Sequence, residues 1–337
     1  MSDQTSSAAA SVDDFFIRSG LKPQVRADCD KLLAEAFPGR SIRPATTQGY
    51  CSYTVLAGND LVVQFRPPNY QLDLRITAAA QDVYRSFAPS TKLLTTLSPS
   101  GLLVYTMERI RGISYKDFRL NNAAQSVSEA AKVREKLSRD FASFLACSWH
   151  HRDHVALTPG RIGTSIRQRL QRLVLELPSL FRPIASHVLS QLEAINALPW
   201  VLTHGDIVTS NIMIDPYSGK LLGFVDWAEA ELLPFGVCLY GLEEILGYMT
   251  TEGFVYHDDA EQCRTAFWTT LHREIPRLAE TTFRNAVLLA RDLGVLLWHG
   301  FAFDDGAINR VVQMGKDCTE ILYLEAFLQP QRSKPHL

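Results

Sequence analysis

Apolar and polar positions alternate in three short runs near the start of the chain, at Ser41–Thr47, Tyr50–Ala57 and Leu61–Phe65. A period of two is the mark of half-buried strands. Gln48-Gly49 and Gly58-Asn59-Asp60 supply the turns, so the pattern predicts an antiparallel meander. Pro67-Pro68 ends the third run. A helix is expected over Leu72–Phe87, stopped at Pro89, and another strand over Leu102–Met107. Ahead of the meander, Val12–Ser19 and Arg26–Phe37 read as short helices, the second closed by Pro38-Gly39.

Beyond Gly112 the period lengthens to that of helices. Val133, Leu137, Phe141, Phe144, Leu145 and Trp149 form one stripe along Ser128–Trp149. Ile162–Leu177, Ile184–Leu198, Gly236–Thr250, Ala260–Arg273, Thr281–Trp298 and Ala307–Leu328 also read as helices. The expected class is α+β, with a small lobe built on an antiparallel sheet with a helix and a larger, mainly helical lobe. The lobes are expected at residues 12–109 and 110–337, behind a disordered tail at residues 1–11.

One stretch, Val201–Gly236, breaks the helical pattern and carries the candidate chemistry. It holds His204-Gly205-Asp206, then Asn211, then Asp226. Two apolar runs, Ile212–Ile214 and Leu221–Val225, flank the turn-rich Asp215-Pro216-Tyr217-Ser218-Gly219-Lys220, which is a hairpin signature. In a hairpin the start of the first strand lies beside the end of the second. Asn211 and Asp226 are thereby brought together, and an amide oxygen next to a carboxylate suits magnesium. Asp206, one loop upstream, is placed to accept the proton of an acceptor hydroxyl, with Gly205 making the tight turn and His204 holding the loop. Positioning, a metal and a group to orient the nucleophile are what phosphoryl transfer asks of a protein.

Composition narrows the partners. The 337 residues carry a net charge of −2, with 46% hydrophobic and 21% charged positions. No broad basic field points to nucleic acid, and no apolar run approaches the ~20 residues of a membrane helix. The six scattered cysteines include no CxxC pair and point to reduced thiols in the cytoplasm.

The chain resembles the aminoglycoside phosphotransferase and choline kinase group of the protein-kinase-like fold, and within it a broad fungal branch. His204-Gly205-Asp206, Asn211, Gly223-Phe224-Val225-Asp226-Trp227 and Leu233-Pro234-Phe235-Gly236 carry the likeness, with Leu242-Glu243, Val63–Pro67 and Tyr105–Glu108. It spans about residues 40–328. The resemblance implies ATP and magnesium as cofactors and a small-molecule hydroxyl as acceptor. It makes Asp206 the base, and Asn211 and Asp226 the metal ligands. It makes Gln48–Ser52, with Gly49 and Ser52, the loop over the phosphates, and Met107–Arg109, with Met107 and Arg109, the adenine hinge. The family's third-strand lysine is absent: Gln64 stands there, and either Arg66, two residues on along the same face, supplies the missing charge or nucleotide binding is weak or altered. The helical stretch Leu72–Phe87 also lacks a glutamate, offering Asp73, Gln81 and Asp82. These departures keep open an alternative, a kinase-like binding or regulatory protein without phosphotransfer.

The candidates for acceptor contact are Glu229, Trp268, Trp298 and Asp304, with core packing the favoured role of each Trp and a surface loop position the alternative for Glu229. His150, His151 and His154 read as helix-terminal surface residues, and Arg161, Arg167, Arg169 and Arg172 as a solvated basic face.

Overall fold

The computed structural model describes residues 12–46, 48–121, 126–154, 156–304 and 307–328. The tail expected to be disordered lies outside them. The chain divides into two compact units: one runs to Gln81 and resumes over Ala88–Arg111, the other comprises Asp82–Phe87 and everything from Gly112 onward.

The first unit is a five-stranded antiparallel sheet. Its strands are β1 (Ile42–Pro44), β2 (Tyr53–Ala57), β3 (Leu61–Arg66), β4 (Thr91–Leu97) and β5 (Leu102–Glu108), in the order β1-β2-β3-β5-β4. Alternation in β2 buries Tyr53, Val55 and Ala57, and β3 adds Val63 and Phe65. Helices α1 (residues 12–18) and α2 (Gln24–Ala36) complete this core with Val12, Phe15, Phe16, Val25, Cys29 and Leu33. Tyr53 stacks on Phe65 at 5.7 Å between ring centres, with Phe16 at 5.3 Å. Strand β4 was not foreseen. It is one of the two edge strands and is exposed over Lys92–Thr96, so neither face is selected for burial and no period of two develops. Helix α3 (Leu74–Tyr84) starts on Asp73, which accepts the Arg75 N–H at 2.9 Å.

In the second unit β6 (Ile113–Ser114) leads into α4 (Tyr115–Asn121) and the long α5 (Val127–His150). Ser126 caps α5 by accepting from Glu129 N–H, and its apolar stripe buries Leu137, Phe141, Phe144 and Leu145. Helices α6 (Ile166–Glu176), α7 (Arg182–Ser190) and α8 (Leu192–Asn196) follow; Gln191 splits the single helix expected over Ile184–Leu198. Strand β7 (Trp200–Thr203) pairs with β10 (Glu231–Pro234), and between them β8 (Ile212–Ile214) and β9 (Leu221–Phe224) form the anticipated hairpin, extended by β6.

Two expected helices are corrected. Gly236–Thr250 holds only a 3-10 turn and the short α9 (Gly241–Leu246), then becomes strand β11 (Gly247–Thr250), paired with β12 (Gly253–Tyr256). A Cβ on Gly247 would meet the Val255 carbonyl at 2.5 Å, so glycine permits the hairpin's close approach. Ala307–Leu328 opens as strand β14 (Ala307–Val311), paired with β13 (Phe301–Asp304), before α12 (Cys318–Leu328). Ile308 and Val311 favour extended backbone, and Gly315 at φ +77° keeps the segment from joining the helix.

The remaining helices, α10 (Ala260–Glu274) and α11 (Thr281–His299), meet at a charged knot. Glu243, 2% exposed, accepts from Arg264 at 2.8 and 3.0 Å and from Arg291 at 2.8 Å. Among the described residues no helix is long and apolar enough to cross a membrane.

Candidate active site

The loop after β7 is shaped by His204 and Gly205. Asp206 N–H donates to His204 Nδ1 at 3.2 Å, which leaves Nε2–H to donate to the Val225 carbonyl at 3.0 Å. Burial pushes the imidazole down to about 4, so the ring is neutral and works as a tie between the loop and the end of β9. Trp227 closes over it at 4.6 Å and donates its indole N–H to Phe224 O at 2.9 Å. Gly205 sits at φ +80°, and a Cβ there would lie 2.2 Å from the Glu229 carbonyl. Gly205→Ala is therefore expected to lower turnover at least about tenfold and to cost about 1–3 kcal/mol of stability. Melting and activity measured together check this; an alanine variant equal to wild type in both removes the requirement.

The three polar residues converge as the hairpin geometry requires. Ile212 pairs with Phe224, and Val225 N–H donates to Asn211 O at 3.0 Å, so Asn211 and Asp226 flank one end of the hairpin. Asn211 Nδ2 donates to Asp206 Oδ2 and to Asp206 O, both at 3.0 Å. That fixes the amide and turns its oxygen away from Asp206. Asp226 is exposed and adopts φ +62°, a left-handed conformation that Asp tolerates better than bulkier residues. An amide oxygen and an exposed carboxylate fit a hard divalent cation that keeps other ligand positions for water and phosphate. Burial, and then the charge of Asp226, push the half-buried Asp206 carboxyl up to about 7, against the opposing bond from Asn211. Ile207 N–H donates to the Tyr240 hydroxyl at 3.1 Å, and Tyr84 donates to Leu202 O at 2.5 Å, anchoring the loop from below. Nothing in the sequence marks Tyr240 or Tyr84 for this role, because each acts from a distant segment.

The residues expected to meet nucleotide lie in the first unit. Gln48 is folded back as a mock strand residue: its amide accepts from Thr54 N–H at 2.8 Å and donates to Thr54 O at 2.9 Å. Gly49 is in the loop this clamp closes, and Ser52, buried, shares a hydrogen with Thr54 Oγ1 at 3.1 Å. Arg18 of α1 stacks over Tyr50 at 4.1 Å and donates to its carbonyl at 2.8 Å. Gln64 is half-buried between Thr54 and Tyr105. Arg66 is 4% exposed and reaches the Tyr70 carbonyl at 3.4 Å. Met107 pairs with Val62 and Thr91, while the N–H groups of Glu108 and Arg109 already donate to Ser90 O and Asp60 O. Asp73 is held by Arg75 at 2.7 Å.

The acceptor candidates separate. Glu229 is exposed and its charge is felt at Asp206. Trp298 stacks on Tyr240 at 5.9 Å. Trp268 packs on Phe267 and His272 along α10. Asp304 ends β13, and its side chain, like that of His154, lies outside the described residues. His150 is exposed at the end of α5, and His151 bonds to Cys147 O at 2.9 Å. Arg167 and Arg172 are paired with Glu193 and Glu176.

A sheet-bearing unit joined to a helical unit that carries a His-Gly-Asp loop and an Asn/Asp hairpin defines the kinase-like phosphotransferase class. The chain belongs to the phosphotransferase enzyme family, whose model matches residues 47–236. No curated protein matches the chain. Among solved structures it is similar to a Ralstonia eutropha protein that carries the aminoglycoside phosphotransferase designation, with a TM-score of 0.50 and 14% identity over 80% of this chain and 97% of that one. It is also similar to aminoglycoside phosphotransferase APH(3'')-Id of Streptomyces rimosus, at TM-score 0.47 and 15% identity over 80% and 98% of the two chains. A third likeness is to the GDP complex of aminoglycoside 2'-phosphotransferase-IIIa, at TM-score 0.48 and 11% identity over 81% and 99%.

Proposed function

We propose that the protein is an ATP- and magnesium-dependent kinase of a small-molecule hydroxyl, acting in the cytoplasm. The juxtaposition of Asp206, Asn211 and Asp226 carries this reading. Asp206 accepts the acceptor's proton as its oxygen bonds to the γ-phosphorus and the bond to ADP breaks. Asn211 Oδ1 and Asp226 would hold the magnesium. When bound, magnesium offsets charge on the phosphates and lowers the proton affinity that Asp226 otherwise raises at Asp206. His204 keeps the loop in place and, being neutral and bonded at both nitrogens, is assigned no proton transfer. In the first unit, backbone groups around Gly49 would meet phosphate oxygens, with Ser52 supporting them, and the Met107–Arg109 segment would meet the base through groups other than the two committed N–H donors. Glu229 and Trp298 are the acceptor-side residues that the geometry favours.

Asp226→Ala is expected to abolish the magnesium dependence of nucleotide binding in calorimetry. Binding that responds to magnesium as in wild type would sink the metal assignment. The alternative, a nucleotide-binding protein without transfer, draws on Gln64 in place of the strand lysine and on the burial of Arg66 against Tyr70. Labelled-ATP transfer into a metabolite pool by wild type, absent in Asp206→Asn, excludes it.

A further inference from the structure

We propose that Glu244 and His299 form the acceptor-reading end of the second unit's site, and that the acceptor is an uncharged, ring-bearing alcohol. The proposal rests on Asp206 marking where that unit receives the phosphoryl group.

Glu244, on α9, is 5% exposed and faces the loop: Thr209 N–H donates to it, and the charge of Asp206 acts on it through space. Its neighbouring cation is Arg119 of α4, which stacks over Tyr248 at 5.2 Å and donates to Gly247 O at 3.2 Å. Tyr323 of α12 stands beside both Glu244 and Arg119, and its ring lies on His299 at 4.5 Å and 17°. His299 in turn meets Tyr240 at 6.3 Å, and Tyr240 lies parallel to Trp298 at 13°. Tyr240 is the residue whose hydroxyl holds Ile207. A continuous band of rings thus runs from the catalytic loop to Tyr323, with one carboxyl and one imidazole set into it.

Packing alone leaves one feature unexplained. His299 is 5% exposed, and its Nε2 has no hydrogen-bond partner among the described residues. An unpaired buried polar atom is costly, and that cost is removed when a ligand supplies the partner. Burial alone pushes this imidazole down to about 3, so it meets a ligand as a neutral group.

Around Glu244 itself the charges do not favour a cation. Glu243 is neutralised by Arg264 and Arg291. Glu244 already faces Arg119, so an ammonium brought to it would also meet that guanidinium. Burial, with the charge of Asp206 adding to it, pushes Glu244 up to about 7, so it offers a hydroxyl as readily as a fixed charge. Trp298 and Tyr323 are only half-buried, and a flat or sugar ring would pack against their remaining exposed surface.

The test is binding, read by tryptophan fluorescence or calorimetry, of phenyl β-D-glucoside and of kanamycin to the full chain. Wild type is expected to bind the glucoside and to prefer it over kanamycin. Glu244→Gln, which keeps a neutral hydrogen-bonding group, retains glucoside affinity within about threefold, whereas Glu244→Ala and His299→Ala lose about tenfold or more. The proposal is overturned by tighter binding of kanamycin, by no glucoside binding at millimolar concentration, by equal losses in Glu244→Gln and Glu244→Ala, or by no loss in either alanine variant. Should His299→Ala fail to fold, the glutamine–alanine pair at Glu244 decides. Binding is read without turnover, so failure of the phosphotransfer reading shows separately, as nucleotide hydrolysis that ignores Asp206→Asn.

Discussion

Asp206→Asn is expected to lower kcat for phosphoryl transfer by about 10²–10⁴, the range for loss of a positioned base, while nucleotide affinity stays within about twofold. The amide keeps the size of the carboxylate and can still accept from Asn211 Nδ2, which now bonds Asp206 Oδ2 at 3.0 Å. It cannot take a proton at neutral pH. The loop should stay in place, because His204 grips the backbone N–H of residue 206 and not its side chain. Single-turnover transfer of labelled phosphate, paired with nucleotide calorimetry, separates the two quantities. Full turnover in the variant would remove Asp206 from the chemistry.

The second large effect is on stability. Glu243→Ala is expected to cost about 3–5 kcal/mol, because it leaves Arg264 and Arg291 beside a void with no anion between them. Burial alone would raise the Glu243 carboxyl; the two guanidiniums outweigh it and hold it at about 2. A folded value below the ordinary ~4.3 means that the stabilisation is fully present above that pH and lost as the pH falls toward about 2. The difference in unfolding free energy between wild type and Glu243→Ala should therefore shrink across that window. His204 and His299, held at about 4 and about 3, weaken both proteins below pH ~6.5 and cancel in the difference. Denaturant titrations at stepped pH check this, and a pH-independent difference counts against the assignment.

Much of the fold was legible because burial imposes a period. The stripe of α5 and the alternation of β2 and β3 are each dictated by one buried face, and the hairpin of β8 and β9 by turn residues between two apolar runs. Legibility failed where no face is buried, as in β4, or where both are. Every residue of α9 is buried, Glu243 and Glu244 included, so no exposed polar face sets a period that reveals its length, and it looks continuous with β11. The candidate site could be read because Asp206, Asn211 and Asp226 lie within one local unit. Its supports could not: Tyr84 and Tyr240 reach it from segments 118 and 33 residues away along the chain. The same holds for Arg66, whose burial against Tyr70 depends on the turn after β3 and not on the strand pattern.

The left-handed backbone at Asp226 constrains what natural drift can do to this enzyme. Only Asp, Asn and Gly occupy such a conformation without marked strain. Glutamate, the usual like-for-like exchange for a carboxylate, is there a poor neighbour in sequence space: it keeps the charge and disturbs the chain. Asparagine does the reverse. If Asp226 holds a cation as proposed, a lineage that loses it through this position is therefore expected to pass through Asp226→Asn, retaining a folded scaffold, so that decay of catalysis and decay of structure are uncoupled at a single codon.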